Sequence, residues 1–293
     1  MKTTTIVILV SLALSGCNFS KSVKKDFVSG LTTTGNVLSC DEVYLSVNDE
    51  RTTKSSFPYG EKICVNYDDI QGFIKENGNV FPELFLVITD LTGDTVMYTD
   101  DLYSEYKDGL NYTPLKLVAD LTLASPMHSN REYNLSVNIR DKKGSGTFNS
   151  KYKFSIKPDE MITVNPEEVQ YNEAYLFSQG NDRVITDARI KFDDNIYIFI
   201  EGLKGFKEEN GLVYPGLSLQ GKDSKDNNIL DYSDLFSGYT DTGIAASDFT
   251  QQVSAHFKLT GSEFNNPFHV ELNIWDKKSS AKLRISVNLT VEQ

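Results

Sequence analysis

Cysteine, histidine and tryptophan are scarce in this chain of 293 residues, which contains only three cysteines, three histidines and one tryptophan. The cysteines and histidines are scattered, so no spacing resembles a zinc, haem or iron–sulfur site. Basic residues are also in the minority, since 29 Lys and Arg stand against 41 Asp and Glu, and the net charge of −12 repels phosphate. The composition therefore predicts no cofactor, no metal centre and no nucleic-acid partner.

Motifs of common enzyme classes are missing as well. The sequence contains no Walker loop, dinucleotide fingerprint, H-E-x-x-H or EF-hand loop. His128, His256 and His269 do not lie near a G-x-S-x-G elbow. We expect a protein that is not an enzyme. The alternative is a carbohydrate-processing accessory protein or hydrolase that uses loop carboxylates, because sequence alone does not give the distance between two carboxyl groups.

The amino-terminal residues have the pattern of an export signal. Lys2 precedes an apolar run from Ile6 to Leu14, which is shorter than the roughly 20 residues that span a bilayer. The ending Leu14-Ser15-Gly16-Cys17 resembles the bacterial lipobox. The resemblance implies that residues 1–16 are a signal peptide and that Cys17 is acylated, for example with palmitate. Asn18 after the cysteine implies sorting to the outer membrane. The alternative is an ordinary secretory peptide that happens to end at a cysteine.

Residues 17–35 are polar, and we interpret them as the lipidated cysteine and a tether. Lys21, Lys24 and Lys25 either lie against anionic headgroups or belong to a solvated linker.

The rest of the chain consists of two copies of one sequence unit. Residues 72–84 recur as residues 205–217, Glu42-Val43-Tyr44-Leu45 recurs as Glu173-Ala174-Tyr175-Leu176, and residues 138–143 recur as residues 273–278. Three blocks in the same order, with small drifts in offset, predict a duplicated domain in which the insertions lie in loops. We place repeat 1 at residues 36–158 and repeat 2 at residues 159–293.

Each copy has the pattern of β-structure. Apolar and polar residues alternate from Tyr133 to Arg140 and again from Leu283 to Val291, as in half-buried antiparallel strands. About seven such segments per copy, separated by turn residues, favour an all-β fold of two tandem immunoglobulin- or fibronectin-like β-sandwiches. A jelly roll is the alternative fold.

Cys40 and Cys64 lie in repeat 1, near the starts of its first two predicted strands. In an oxidising compartment we expect a disulfide between them, because repeat 2 replaces the two together by Tyr171 and Tyr197, as for a cross-strand contact. Two separate buried thiols are the alternative.

A loop present in both copies is the candidate recognition surface, together with the Asp-Lys-Lys turn that follows a later strand. Its Asn-Gly pairs predict tight turns. The structural alternative is that the phenylalanines close the end of the sandwich. A calcium site formed by loop carboxylates at a domain junction, and stacking of Trp275 on sugar, are weaker hypotheses. The candidate binding residues are Gly72, Phe73, Asn77, Gly78 and Asp141 in repeat 1, and Gly205, Phe206, Asn210, Gly211 and Asp276 in repeat 2.

Taken as a whole, the chain resembles the envelope lipoproteins of Bacteroidota-type bacteria that carry tandem immunoglobulin-like domains. The resemblance implies a lipid-anchored binding or scaffold protein that holds a protein or glycan partner at the membrane.

Overall fold

The computed structural model describes residues 21–26 and 29–292 and consists almost entirely of β-strands arranged in two modules. Module 1 contains strands β1 (Lys21–Lys25), β2 (Thr32–Asn36), β3 (Ser39–Val47), β4 (Glu50–Thr52), β5 (Ser56–Pro58), β6 (Lys62–Gln71), β7 (Pro82–Thr89), β8 (Thr95–Tyr98), β9 (Leu117–Thr122), β10 (Arg131–Asp141) and β11 (Thr147–Lys157). The fold class predicted from the sequence is confirmed.

Module 2 repeats this order with small additions. Its strands are β12 (Ile162–Glu167), β13 (Glu173–Ser178), β14 (Arg183–Val184), β15 (Arg189–Lys191), β16 (Asn195–Glu201), β17 (Leu212–Val213), β18 (Pro215–Lys222), β19 (Asn228–Tyr232), β20 (Ile244–Ala245), β21 (Gln252–Lys258), β22 (Phe268–Asp276) and β23 (Lys282–Glu292). A 3₁₀ turn at Ser237–Tyr239 and the short helix α1 (Ala246–Gln251) lie between β19 and β21.

Both modules are sandwiches of two sheets with corresponding strand orders, apart from the extra edge strand β1 in module 1 and the separate pair β17-β20 in module 2. In module 1, one sheet runs β1-β2-β11-β10-β7-β8 with β5 parallel to β11, and the other runs β4-β3-β6-β9. In module 2, β12-β23-β22-β18-β19 with β15 parallel to β23 faces β14-β13-β16-β21. This is the strand arrangement of immunoglobulin- and fibronectin-like sandwiches, in which connections cross between the two sheets.

Each module has its own apolar core. In β7, Leu84, Leu86 and Ile88 are buried while the residues between them are partly exposed, which is the two-residue period of a strand that covers a core on one face. One cluster of buried residues runs from Leu31 to Ile156 and a second from Ile162 to Val291.

The tether predicted for residues 17–35 includes two strands, so that prediction is corrected. β2 pairs with β11, and β1 pairs with β2 at the edge of the sheet. The segment lacks an apolar period because Thr33, 7% exposed, and Gly35 supply its inward face. Threonine has a high β-propensity, which suits it to a strand that lies between β1 and β11. Residues 1–16 and Cys17 lie outside the described residues.

The disulfide predicted between Cys40 and Cys64 is wrong, and both cysteines are free. In the antiparallel pair of β3 and β6, Cys40 lies opposite Ile70 and Cys64 lies opposite Ser46. The two cysteines are therefore six residues apart along the ladder, or about 20 Å at the usual rise per residue, well beyond disulfide reach. The starts of two consecutive antiparallel strands lie at opposite ends of the pair. The expected pairing of Tyr171 with Tyr197 fails for the same reason, because Tyr197 lies opposite Phe177.

Among the described residues, no helix is both long and apolar enough to cross a bilayer.

Candidate functional site

The loop shared by the two copies forms a tight hairpin at one end of each sandwich. Asn77 and Gly78 have φ values of 53° and 84°, and Asn210 and Gly211 have 55° and 79°. Two consecutive residues with positive φ define a type I′ turn, which explains why Asn-Gly occupies both sites. The amide of Asn79 donates to the carbonyl of Glu76 at 3.0 Å to close the first turn. The predicted tight turns are confirmed.

A buried aspartate ties this hairpin to the turn between the last two strands. Asp141 accepts hydrogen bonds from the amides of Ile74 at 2.8 Å and Lys143 at 2.9 Å. Asp276 does the same with the amides of Lys207 at 2.7 Å and Lys278 at 3.0 Å. Both aspartates are about 95% buried and serve as acceptors for loop amides. The loop and turn therefore meet in both copies, as the sequence predicted, while their role in recognition stays a prediction.

Glycine is required in the segment that leads from β6 into the hairpin of module 1, and from β16 into the hairpin of module 2. Gly72 has a φ of 97°, and a Cβ placed there would lie 2.5 Å from the carbonyl oxygen of Val37. Gly205 has a φ of 108°, and its Cβ would lie 2.5 Å from the carbonyl oxygen of Glu168. Both positions need a residue without a side chain, for conformational and steric reasons.

The two loop ends differ in how they are filled. In module 2, Phe206 packs on Phe249 of helix α1, with ring centroids 4.8 Å apart. In module 1, the partly buried Phe73 lines a cleft of about 410 Å³ instead. Tyr112 borders the cleft and is 67% exposed. Both phenylalanines pack against their module's core, as the structural alternative predicted, but in module 1 the end remains open.

The loop carboxylates do not converge on a metal site. Glu76 pairs with Lys143, Asp68 pairs with Lys116, and Glu209 pairs with Lys207. Within residues 21–26 and 29–292, no three His, Cys, Asp or Glu side chains are grouped so that they would hold a metal ion. The calcium hypothesis gains no support from this arrangement.

Trp275, considered from the sequence as a sugar-stacking residue, is half-buried. It lies opposite Gly216 in the pairing of β18 with β22, and a Cβ on Gly216 would lie 2.1 Å from its ring. The indole therefore covers the glycine backbone of the neighbouring strand, and this packing explains why Gly216 is needed there.

Aromatic side chains line the outward face of one sheet in module 2. In β16, Ile196, Ile198 and Ile200 point into the core, so Tyr197 and Phe199 lie on the opposite face. The rings of Tyr197 and Phe199 are nearly parallel, at 6°, with centroids 5.5 Å apart. His256 of β21 stacks on Tyr197 at 5.1 Å, and Phe177 of β13 contacts Phe199 at 6.3 Å. We call Phe177, Tyr197, Phe199 and His256 the aromatic face.

Module 1 has polar residues at the equivalent positions. Its paired strands β3, β6 and β9 place Ser46, Cys64 and Asp120 where module 2 has Phe177, Tyr197 and His256. Asn66 similarly replaces Phe199. The fold therefore does not need aromatic residues there, and a group of apolar rings on an outer sheet face is a typical feature of interaction surfaces.

Sequence reasoning missed the aromatic face, although a signal was present. Residues 196–200, Ile-Tyr-Ile-Phe-Ile, are apolar at every position. A strand exposed to water on one face alternates between apolar and polar residues, whereas a continuously apolar strand has both faces covered. The continuous apolar run was therefore the sequence signal for this face, on which Tyr197 and Phe199 are half-buried.

The contact between the modules contains buried carboxyl groups. Glu173, 3% exposed, accepts hydrogen bonds from the amide of Ser129 at 2.8 Å and its hydroxyl at 2.6 Å. Asp159, 9% exposed, accepts from the amide of Met161 at 3.0 Å. The other carboxylate oxygen of Asp159 has no hydrogen-bond partner among the described residues. Burial raises the pKa of both carboxyl groups, because it disfavours the charged form.

An aromatic pair also bridges the modules. Tyr59 of module 1 packs on Tyr175 of module 2, with centroids 5.3 Å apart, and burial raises the pKa of Tyr59 to about 12. Tyr175 in turn contacts Phe199 at 5.4 Å. The aromatic face is thus continuous with the contact between the modules.

Comparison with known protein families finds no match, and comparison with curated proteins finds none either. Among solved structures, the chain is similar to the fibronectin(III)-like modules of Clostridium thermocellum CbhA, with 11% identity, a TM-score of 0.20 and coverage of 85% of this chain and 94% of that one. It is also similar to three amino-terminal domains of the outer capsid protein Hoc of bacteriophage RB49, with 9% identity, a TM-score of 0.21 and coverage of 89% and 77%. A third similar chain, pT26-6p, has 7% identity, a TM-score of 0.27 and coverage of 89% and 63%.

Proposed function

We propose that this protein is a non-enzymatic binding lipoprotein of the bacterial cell envelope, held at the outer membrane by acylated Cys17. The support for the anchor is the sequence Leu14-Ser15-Gly16-Cys17 after a short apolar run. In this proposal module 2 binds the partner, and the aromatic face is the surface that it uses.

The aromatic face carries this proposal, and its chemistry favours a neutral glycan chain as the ligand. The stacked rings form a continuous apolar patch, and in this proposal the C–H faces of sugar rings pack against it. Hydrogen-bonding groups lie beside the rings on the same outward face, including Ser254 and Gln252 of β21 and the amide of Asn195. The overall charge of −12 disfavours acidic polysaccharides.

Affinity electrophoresis through gels that contain a neutral polysaccharide tests the proposal. We would compare the mature chain on β-glucan, xylan and mannan. The test variants Phe199→Asn and Phe177→Ser introduce the residues that module 1 has at the equivalent positions. We expect retardation of the native protein on at least one polysaccharide and about a tenfold weaker Kd for each variant, because losing a stacked ring costs about 1.4 kcal/mol.

Tyr98→Ser is the matched control, since Tyr98 is 59% exposed on a strand of module 1. It should leave retardation unchanged, and circular dichroism should show all variants folded. Absence of retardation on every polysaccharide, or equal retardation of native protein and both variants, would exclude the aromatic face as a glycan site. Binding of a protein partner that depends on Phe199 would also refute the glycan assignment.

A further inference from the structure

The chain enters module 1 at the end that carries the shared loop. Lys21, the first residue of β1, pairs with Asn36, and Asn36 pairs with Thr147 directly after the turn that contains Asp141. Cys17 precedes Lys21 by four residues, which reach about 14 Å at most. A lipid on Cys17 therefore holds the loop end of module 1 close to the bilayer.

Apolar side chains are exposed at this same end. Val37 is 49% exposed, Ile74 is 53% exposed and Tyr112 is 67% exposed. The carbonyl of Val37 adjoins Gly72, and the side chain of Ile74 lies next to Gly144. Tyr112 borders the cleft that Gly72 also lines. We call Val37, Ile74 and Tyr112 the apolar tip.

Module 2 shows that the fold does not require this apolar tip. The position of Val37 is taken by Glu168, since each supplies the carbonyl that adjoins the shared glycine and each has a positive φ, of 67° and 58°. The position of Ile74 is taken by Lys207, since the amide of each donates to the buried aspartate. Charged residues thus occupy both positions in the module that lies farther along the chain from Cys17.

The conformation of Val37 is itself unusual. A β-branched residue with positive φ is strained, and such a residue persists only where the surrounding structure holds it. An exposed valine in this conformation gains nothing for the core, and glutamate occupies the same site in module 2.

We propose that the apolar tip of module 1 docks on the bilayer that holds the acyl chains of Cys17. Val37, Ile74 and Tyr112 enter the interfacial region, where apolar side chains and tyrosine are favoured. Lys24 and Lys75, both exposed, add attraction to anionic headgroups. The proposal rests on the anchor at Cys17 for its orientation. In this arrangement module 1 contacts the membrane, and module 2 presents the aromatic face to its partner.

Vesicle sedimentation with the unacylated mature chain, residues 17–293 with Cys17→Ser, tests the surface without the lipid anchor and without the apolar run of residues 6–14. With vesicles of phosphatidylethanolamine and phosphatidylglycerol, we expect measurable binding that weakens about tenfold or more in the double variant Val37→Glu, Ile74→Lys. These are the residues that module 2 carries at those sites, so the variant should fold. Val118→Glu, at a valine that is 41% exposed on β9, is the control and should bind as before.

Fluorescence locates the contact independently. In a Trp275→Phe, Tyr112→Trp variant, the new tryptophan should shift to the blue on vesicle addition and be quenched by brominated lipids. No vesicle binding, or binding that the double variant does not weaken, would overturn the membrane contact. Mass spectrometry of the mature native chain tests the anchor separately. Unacylated Cys17 with intact vesicle binding would refute the anchor and leave the surface standing.

Discussion

The buried aspartate at each loop end provides a paired test of the duplicated framework. Asp141→Ala removes the acceptor of two loop amides, and Asp276→Ala removes the acceptor of two amides and of the Ser279 hydroxyl at 2.6 Å. Hydrogen bonds to a charged group contribute about 1.5–3 kcal/mol each. In the alanine variants, water can hydrogen-bond to the loop amides and recover part of this free energy. We expect losses of about 2–4 kcal/mol in the free energy of unfolding of module 1, and about 1 kcal/mol more in module 2.

Guanidinium denaturation separates the two effects, because the single tryptophan, Trp275, lies in module 2. Asp276→Ala should move the fluorescence transition to lower denaturant. Asp141→Ala should move mainly the part of the circular dichroism transition that fluorescence does not report. The exposed carboxylate Asp100 offers a control, and Asp100→Ala should change stability by less than about 0.5 kcal/mol. A loss below about 1 kcal/mol for both buried aspartates would refute the assignment of these residues as framework acceptors.

Three further predictions concern other parts of the chain. Cys40 and Cys64 should both titrate as free thiols in the unfolded non-reduced protein, and in the native protein Cys40 should react more slowly, because burial raises the pKa of its thiol to about 12. Gly72→Ala should destabilise module 1 by about 2 kcal/mol or more in chemical denaturation, whereas Gly93→Ala, with a φ of 95° and open space around its Cβ, should cost only about 1 kcal/mol. Asp159→Asn should raise stability at pH 7, and the gain should shrink as the pH falls toward 5.

The sign of the pH effect follows from the raised pKa of Asp159. A carboxyl group whose pKa is higher in the folded state contributes full stability only below its unfolded pKa, and this contribution is lost as the pH rises through the folded value. The asparagine variant is neutral throughout, so it avoids that loss at neutral pH. A gain that stays constant from pH 5 to 7, a titration that finds fewer than two thiols, or equal costs for the two glycine variants would each contradict the corresponding prediction.

Local rules were sufficient for the features that depend on a few neighbouring residues. Asn77-Gly78 specifies its turn because only residues that tolerate positive φ fit both central positions. The alternation from Tyr133 to Arg140 specifies a strand because one face is buried. The recurrence of both patterns along the chain was enough to predict two sandwiches of one architecture.

Features that depend on which strands become neighbours were harder to predict. Cys40 and Cys64 each lie near the start of a strand, but the two strands are antiparallel, so these starts are far apart. The threonines of β2 become a strand only because β11 offers an edge. The equivalence of Val37 and Glu168 becomes visible only in the structure, which places Val37 beside Gly72 and Glu168 beside the equivalent Gly205. Comparison of the two modules position by position therefore supplies what neither copy shows by itself.

The central claim is that module 2 binds its partner through the aromatic face and not through the shared loops. Aromatic ¹³C–¹H NMR spectra of the mature protein, titrated with soluble oligosaccharides of the polysaccharide that retards it, test this most directly. The account predicts shift changes at Tyr197, Phe199 and His256, with Phe73 and Phe206 unchanged. Changes confined to the rings of Phe73 and Phe206 would contradict it and place recognition at the loop ends.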